Sequence, residues 1–134
     1  KAVREQCEKS LWCVFGCGGN RDQGKRALMG SIASVIADRV IVTSDNPRDE
    51  FPQEIVNAIL SGCTSGDVYS EIDRAQAIEY AIQNALPGDA IVIAGKGHEQ
   101  YQEIAGQRYA FSDVAVGVNA LQLRKQSKLE GRLQ

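Results

Sequence analysis

Three short, largely apolar runs constrain the fold of this 134-residue chain more than any other feature: Leu11-Trp12-Cys13-Val14-Phe15, Val40-Ile41-Val42-Thr43 and Ala90-Ile91-Val92-Ile93-Ala94. Each suits a strand and is too short for a typical helix. Strands without a polar face are buried on both sides, which points to a parallel sheet covered by helices. The intervening segments supply those helices. Lys25 to Ala37 reads as a helix with apolar Leu28, Ile32, Val35 and Ile36 at helical spacing. Pro52 opens another, carrying Ile55, Val56, Ile59 and Leu60 and ending near Gly62, and Arg74 to Ala85 forms a third.

The remaining signals are shorter. Ala2 to Lys9 reads as the end of a helix, Val68 to Ile72 as a further strand, and Pro87-Gly88-Asp89 as a turn. Tyr101 to Tyr109 carries a hairpin signal centred on Gly106. Asp113 to Leu123 is expected to form a last helix capped by Ser112 or Asp113. Arg124 to Gln134 is polar enough to fray, although Leu129 and Leu133 stand at a spacing that would extend that helix.

With 43% apolar residues, three prolines and no low-complexity tract or repeat, one domain spanning residues 1–134 is expected. Fifteen Lys plus Arg against seventeen Asp plus Glu leave a charge of -2, which argues against nucleic acid or an anionic membrane as the main partner. No run approaches the roughly 20 apolar residues of a membrane span, and Lys1 to Ser10 is too polar for a signal peptide, so a cytoplasmic location is expected. Cys7, Cys13, Cys17 and Cys63 lack the paired spacing of a zinc site and lie far from His98, the sole histidine; reduced, mostly buried thiols are the expectation.

Three polar loops each follow a predicted strand: Gly16 to Arg26, Ser44 to Arg48 and Gly95 to Glu99. In an open parallel sheet, ligands bind outside the carboxyl ends of the strands, so these loops are candidates for one shared pocket. The first loop fits neither common nucleotide motif. A dinucleotide fingerprint would need glycine where Arg21 stands. Gly19 to Lys25 matches G-x-x-x-x-G-K, but Arg26 replaces the hydroxyl residue that would hold magnesium. Contact with an anion through Arg21, Lys25 and Arg26 is one reading, and a solvated basic helix start is the other. In the second loop Pro47 restricts both itself and Asn46, so Asp45 and Arg48 are held in a defined relation. Such a loop suits a small zwitterion, or else is an Asx-type turn with Asp45 capping the next helix and Arg48 in solvent. The third loop places Lys96, His98 and Glu99 among two glycines. His98 would donate to a ligand or to a backbone carbonyl, and Glu99 would orient an ammonium group or cap the next segment.

Taken together, the three loops resemble the carboxy-terminal domain of the Mur ligases, the ATP-dependent amide ligases that build the peptidoglycan stem peptide. The resemblance covers nearly the whole chain. It implies a Rossmann-like α/β fold: an open, mainly parallel sheet with helices on both faces and a small hairpin near the C-terminus. Within the family Asp-Asn-Pro-Arg goes with addition of meso-diaminopimelate to UDP-MurNAc-L-Ala-D-Glu, whereas lysine-adding members generally lack its arginine. By resemblance Arg21, Asp45, Asn46, Pro47, Arg48, Gly95 and Glu99 line the amino-acid site. Arg21 and Arg48 would take carboxylates and Asp45 and Glu99 the ammonium group. Lys25 and His98 would contact phosphate, with His98 also a candidate base. No residue here is assigned a nucleophilic role.

The reaction so implied begins with ATP phosphorylating the D-glutamyl side-chain carboxylate, and the diaminopimelate amine then attacks the acyl phosphate. ATP and Mg2+ would be bound mainly by a central domain and the UDP-linked substrate by an N-terminal one, neither of which this chain contains. An excised domain without ligase activity of its own is therefore expected. A lysine-adding ligase domain and a non-catalytic amino-acid-binding module are the alternatives.

Overall fold

The computed structural model describes residues 9–19, 23–95, 101–105 and 107–133. Its core is a four-stranded parallel sheet of β1 (Leu11–Phe15), β2 (Arg39–Val42), β3 (Asp67–Ser70) and β4 (Ala90–Ile93), in the order β3-β2-β1-β4. The strands alternate with α1 (Gly24–Ile36), α2 (Pro52–Leu60) and α3 (Arg74–Asn84). An antiparallel hairpin of β5 (Tyr101–Ile104) and β6 (Gln107–Ala110) follows, then α4 (Asp113–Leu133). The α/β class, the parallel sheet and the hairpin match the expectation from the sequence. Ala2 to Glu8 and Gly106 lie outside the described residues.

Strand alternation divides the core in two. Trp12, Val14 and Ile41 face α3 and α4, where they pack on Ala77, Ile78, Ala81 and Ala120. Leu11, Phe15, Val40 and Val42 face the other way, against Ile55, Val56 and Ile59 of α2. The first two crossovers thus lie on one face of the sheet and the third on the other. The chain steps from β1 to β2 to β3, then returns beside β1 as β4, so a topological switch lies between β1 and β4.

Helix α1 forms where its spacing predicts, but its apolar stripe faces outward. Leu28, Ile32, Val35 and Ile36 are exposed, and the buried residues are Arg26, Gly30 and Ser34. Close helix packing is the reason. A Cβ on Gly62 would lie 1.7 Å from the Ala27 carbonyl oxygen, and one on Gly30 would lie 2.1 Å from that of Ile59. Small residues therefore occupy the contact with α2, while Met29, Ile32 and Ile36 line an apolar groove of about 480 Å³ beside Leu11, Cys13 and Val92.

Caps follow local chemistry. Asp73 accepts from the Gln76 amide at the start of α3, and Ser112 Oγ accepts from the Ala115 amide at the start of α4. The last helix continues to Leu133, so the spacing of Leu129 and Leu133 corresponds to helix rather than a frayed tail. No helix among the described residues is long and apolar enough to cross a membrane.

The turn before β4 is pinned by Asp89, whose carboxylate accepts from the Leu86 amide (2.8 Å), the Trp12 indole (3.0 Å) and the Ser10 amide (3.1 Å). The Leu86 amide contributes most to holding this carboxyl below the usual aspartate range, aided by Trp12, Ser10 and Lys9. The unfolded chain takes up the proton first, so the resulting stabilisation is full above the ordinary aspartate range. It is lost as pH falls from about 4 through the lower folded value. Denaturation followed by Trp12 fluorescence at stepwise lower pH is expected to show that loss. Asp89→Asn should lower stability at neutral pH and flatten this part of the profile.

Candidate functional site

The described residues that follow β1, β2 and β4, residues 16–19, 43–48 and 94–95, stand together at the carboxyl edge of the sheet, around its topological switch. Central β1 places the first loop between the other two. Gly95 takes φ +114°, and a Cβ added there would lie 3.5 Å from the Gly16 carbonyl oxygen and 3.6 Å from Asp45 Oδ2. One small volume is thus bounded by all three strand ends.

The Asp45–Arg48 segment is a wedge rather than a surface turn. Asn46 and Pro47 are buried, and Asp45 and Arg48 are half-buried. The Gly19 amide donates to the Asn46 carbonyl at 2.7 Å, and a Cβ on Gly19 would lie 1.8 Å from the Pro47 carbonyl oxygen, so this approach requires glycine. Asp45 is not the cap of α2; that position is held by Phe51, followed by Pro52. Arg48 does not lie in solvent. Its Nη1 donates to the Gly19 carbonyl at 3.0 Å and to the Asn46 carbonyl at 3.4 Å. Its backbone has φ +53°, a left-handed conformation costing an arginine about 1–2 kcal/mol. Such an outlier persists because its surroundings hold it. The hairpin supplies part of that hold: the Ala105 amide donates to the Arg48 carbonyl, and Gln102 Nε2 donates to Ser44 Oγ at 2.8 Å.

Arg26 corrects one expectation. Its guanidinium is buried, forms a fork with Glu50 at 3.0 and 2.8 Å, and donates to the Gly18 carbonyl at 3.2 Å. Hydrogen bonding to Glu50 is the main reason its proton is held still more firmly than usual. It ties Gly18 of the first loop to Glu50, two residues past the second, and is not directed at an external anion. Lys25 beside it is exposed on the first turn of α1. Asp45, Asn46, Pro47, Arg48 and Gly95 are brought together, whereas Arg21, Lys96, His98 and Glu99 lie outside the described residues.

The thiols of Cys13, Cys17 and Cys63 are free and half-buried rather than fully enclosed. Burial pushes all three upward; at Cys17 the Arg26 charge opposes this and Asp45 adds to it. Such thiols are poor nucleophiles at neutral pH.

No motif in the sequence marks Arg74 as part of the site. It opens α3, is fully buried, and forms a two-pronged pair with Asp113, Nε to Oδ1 and Nη2 to Oδ2 both at 2.7 Å. It further donates from Nη1 to the Ser44 carbonyl at 3.1 Å and from Nη2 to the Ala94 carbonyl at 3.0 Å. The available signal was an arginine directly after an N-cap aspartate, a position usually solvated.

Residues 1–97 match the family described as Mur ligase, glutamate ligase domain. The chain is 58% identical over 125 residues to the UDP-N-acetylmuramoyl-L-alanyl-D-glutamate--2,6-diaminopimelate ligase of Acidovorax sp. (strain JS42), covering 92% of this chain and 25% of that protein. It is 54% identical over 116 residues to the ligase of the same name from Neisseria meningitidis serogroup A, covering 87% and 23%. A solved structure of a ligase of that name superposes with a TM-score of 0.85 at 45% identity, over 89% of this chain and 25% of the other. The chain thus spans about a quarter of the length of these relatives.

Proposed function

Since the chain belongs to the Mur ligase family, we propose that it is the amino-acid-binding domain of an ATP-dependent ligase that adds meso-diaminopimelate to UDP-MurNAc-L-Ala-D-Glu in cytoplasmic peptidoglycan synthesis. The observation that carries this reading is the wedge at the sheet edge. Asn46 and Pro47 are buried, Arg48 is held at φ +53°, and Asp45 and Gly95 share one small volume. A backbone outlier maintained at a ligand-facing loop supports pre-organised binding.

Diaminopimelate differs from lysine by one additional carboxylate at its distal end. The Arg48 fork would pair with that group, and Arg21 would take a carboxylate. Asp45 and Glu99 would receive the ammonium group, with Asn46, Pro47 and Gly95 shaping the walls. Lysine would leave Arg48 without its carboxylate and bring an ammonium group toward it, so selectivity combines an attraction with a penalty. In this reading the domain presents the amine to its electrophile, and orientation is its contribution to rate. Lys25 and His98 would meet phosphate charge.

The described residues of the first loop do not fit an ATP–magnesium cradle. Arg26 stands where a hydroxyl is needed and is committed to Glu50 and Gly18. ATP and Mg2+ would accordingly be held in the part of the ligase that this chain does not cover, as would the UDP-linked substrate. The 134-residue chain alone is expected to bind diaminopimelate weakly and to form no amide.

The test is product formation by the full-length ligase from UDP-MurNAc-L-Ala-D-Glu and ATP, with diaminopimelate or lysine as the amine. A diaminopimelate-dependent product is expected. Preferential lysine addition would replace the substrate assignment, and absence of any amide product with either amine would remove the ligase reading. Amide synthesis by the 134-residue chain itself would overturn the division of labour.

A further inference from the structure

Strands β2 and β4 are not neighbours, because β1 lies between them. Their ends therefore stand about 9.5 Å apart, two strand spacings, with no ladder hydrogen bond to join them. Arg74 spans that interval. One guanidinium reaches the carbonyl of Ser44, immediately before Asp45, and the carbonyl of Ala94, immediately before Gly95. Asp113, the first residue of α4, grips the same group through both carboxylate oxygens. Nη2 also lies 3.9 Å from where a Gly95 Cβ would stand, which puts the guanidinium beneath the floor of the candidate site.

We propose that Arg74, held by Asp113, is a positioning residue that sets the gap between the Asp45–Arg48 loop and the loop beginning at Gly95, and thereby tunes the fit to the amino acid. This rests on the reading of those loops as the amino-acid site. A buried ion pair is weak evidence for stability, since apolar replacements of similar volume are often neutral or better. Its geometric effect is better defined. Arginine's planar fork directs several donors at once, whereas lysine presents a compact ammonium on a flexible stem that cannot reproduce the bridge to two carbonyls and one carboxylate.

The experiment is steady-state kinetics of the full-length ligase bearing Arg74→Lys or the paired Arg74→Met, Asp113→Leu replacement, with thermal unfolding measured alongside. The paired variant removes both charges, so folding does not depend on burying a lone carboxylate. For both variants KM for diaminopimelate is expected to rise tenfold or more, while KM for ATP and for the UDP-linked substrate stays within twofold. Arg48→Ala is run in parallel. If it leaves selectivity intact, the amino-acid-site reading fails; if it abolishes selectivity while a folded Arg74 variant keeps the wild-type KM for diaminopimelate, the positioning role fails. An equal rise in KM for all three substrates also overturns the role, because it reports general loosening.

Discussion

Replacing Arg48 with alanine in the full-length ligase is expected to reduce selectivity for meso-diaminopimelate over lysine by about ten- to a hundredfold, the equivalent of a lost charge-assisted contact of roughly 1.5–3 kcal/mol. The loss should appear mainly as weaker use of diaminopimelate, with lysine use unchanged or improved as the cation facing its ammonium group disappears. The backbone supplies a control. Arg48 sits at φ +53°, where glycine is unstrained and alanine is not. Arg48→Gly should therefore lose as much selectivity as Arg48→Ala while being more stable by about 1 kcal/mol. Competition assays with both amines and urea unfolding of both variants measure the two effects separately. Selectivity that tracked stability across the pair would mean that Arg48 acts only by holding the loop.

The largest stability effect is expected at Gly62. An alanine there would bring its methyl group 1.7 Å from the Ala27 carbonyl oxygen and 2.5 Å from the carbonyl carbon, and these are backbone atoms that cannot rotate away. Helices α1 and α2 would have to separate, at a cost of about 3 kcal/mol or more. Gly117 is the counter-case. A Cβ there meets nothing within 4 Å, and the residue lies inside α4. Gly117→Ala should raise stability by about 0.5–1 kcal/mol through helix propensity. Chemical denaturation of the two variants beside the wild type checks both signs. A neutral Gly62→Ala would show that the helix contact yields more readily than its geometry implies.

These contrasts show what could be read before the structure. The apolar runs at Leu11, Val40 and Ala90 identify strands; in β1 and β2 burial on both faces leaves no room for polar alternation, whereas the edge strand β4 is half-buried along its length. Pro52 marks a helix start for an equally local reason. The spacing on α1 left its orientation open, because helical spacing tells which residues share a face, not which face meets the neighbouring helix. That choice fell to Gly30 and Gly62, whose lack of a side chain lets two helix backbones meet. Arg26 misled: beside Lys25 it looks like anion-binding charge, but Glu50, distant in sequence, neutralises it.

By itself, the sequence determined the α/β class, the strand–helix order, the three loops that follow strands, and the family through the residues in those loops. All of these depend on short-range patterns and on local conformational limits such as those of Pro47. The tertiary structure alone decided the strand order, the outward turn of α1, and the place of Arg48 against Gly19 and the hairpin. It also decided that Arg74 and Asp113 tie together the ends of β2 and β4. The contacts behind these features join residues 20 to 79 positions apart, from Arg74 and Ala94 at one extreme to Leu11 and Ala90 at the other. A buried charge finds its partner through packing, and no local pattern in the chain records which partner that is.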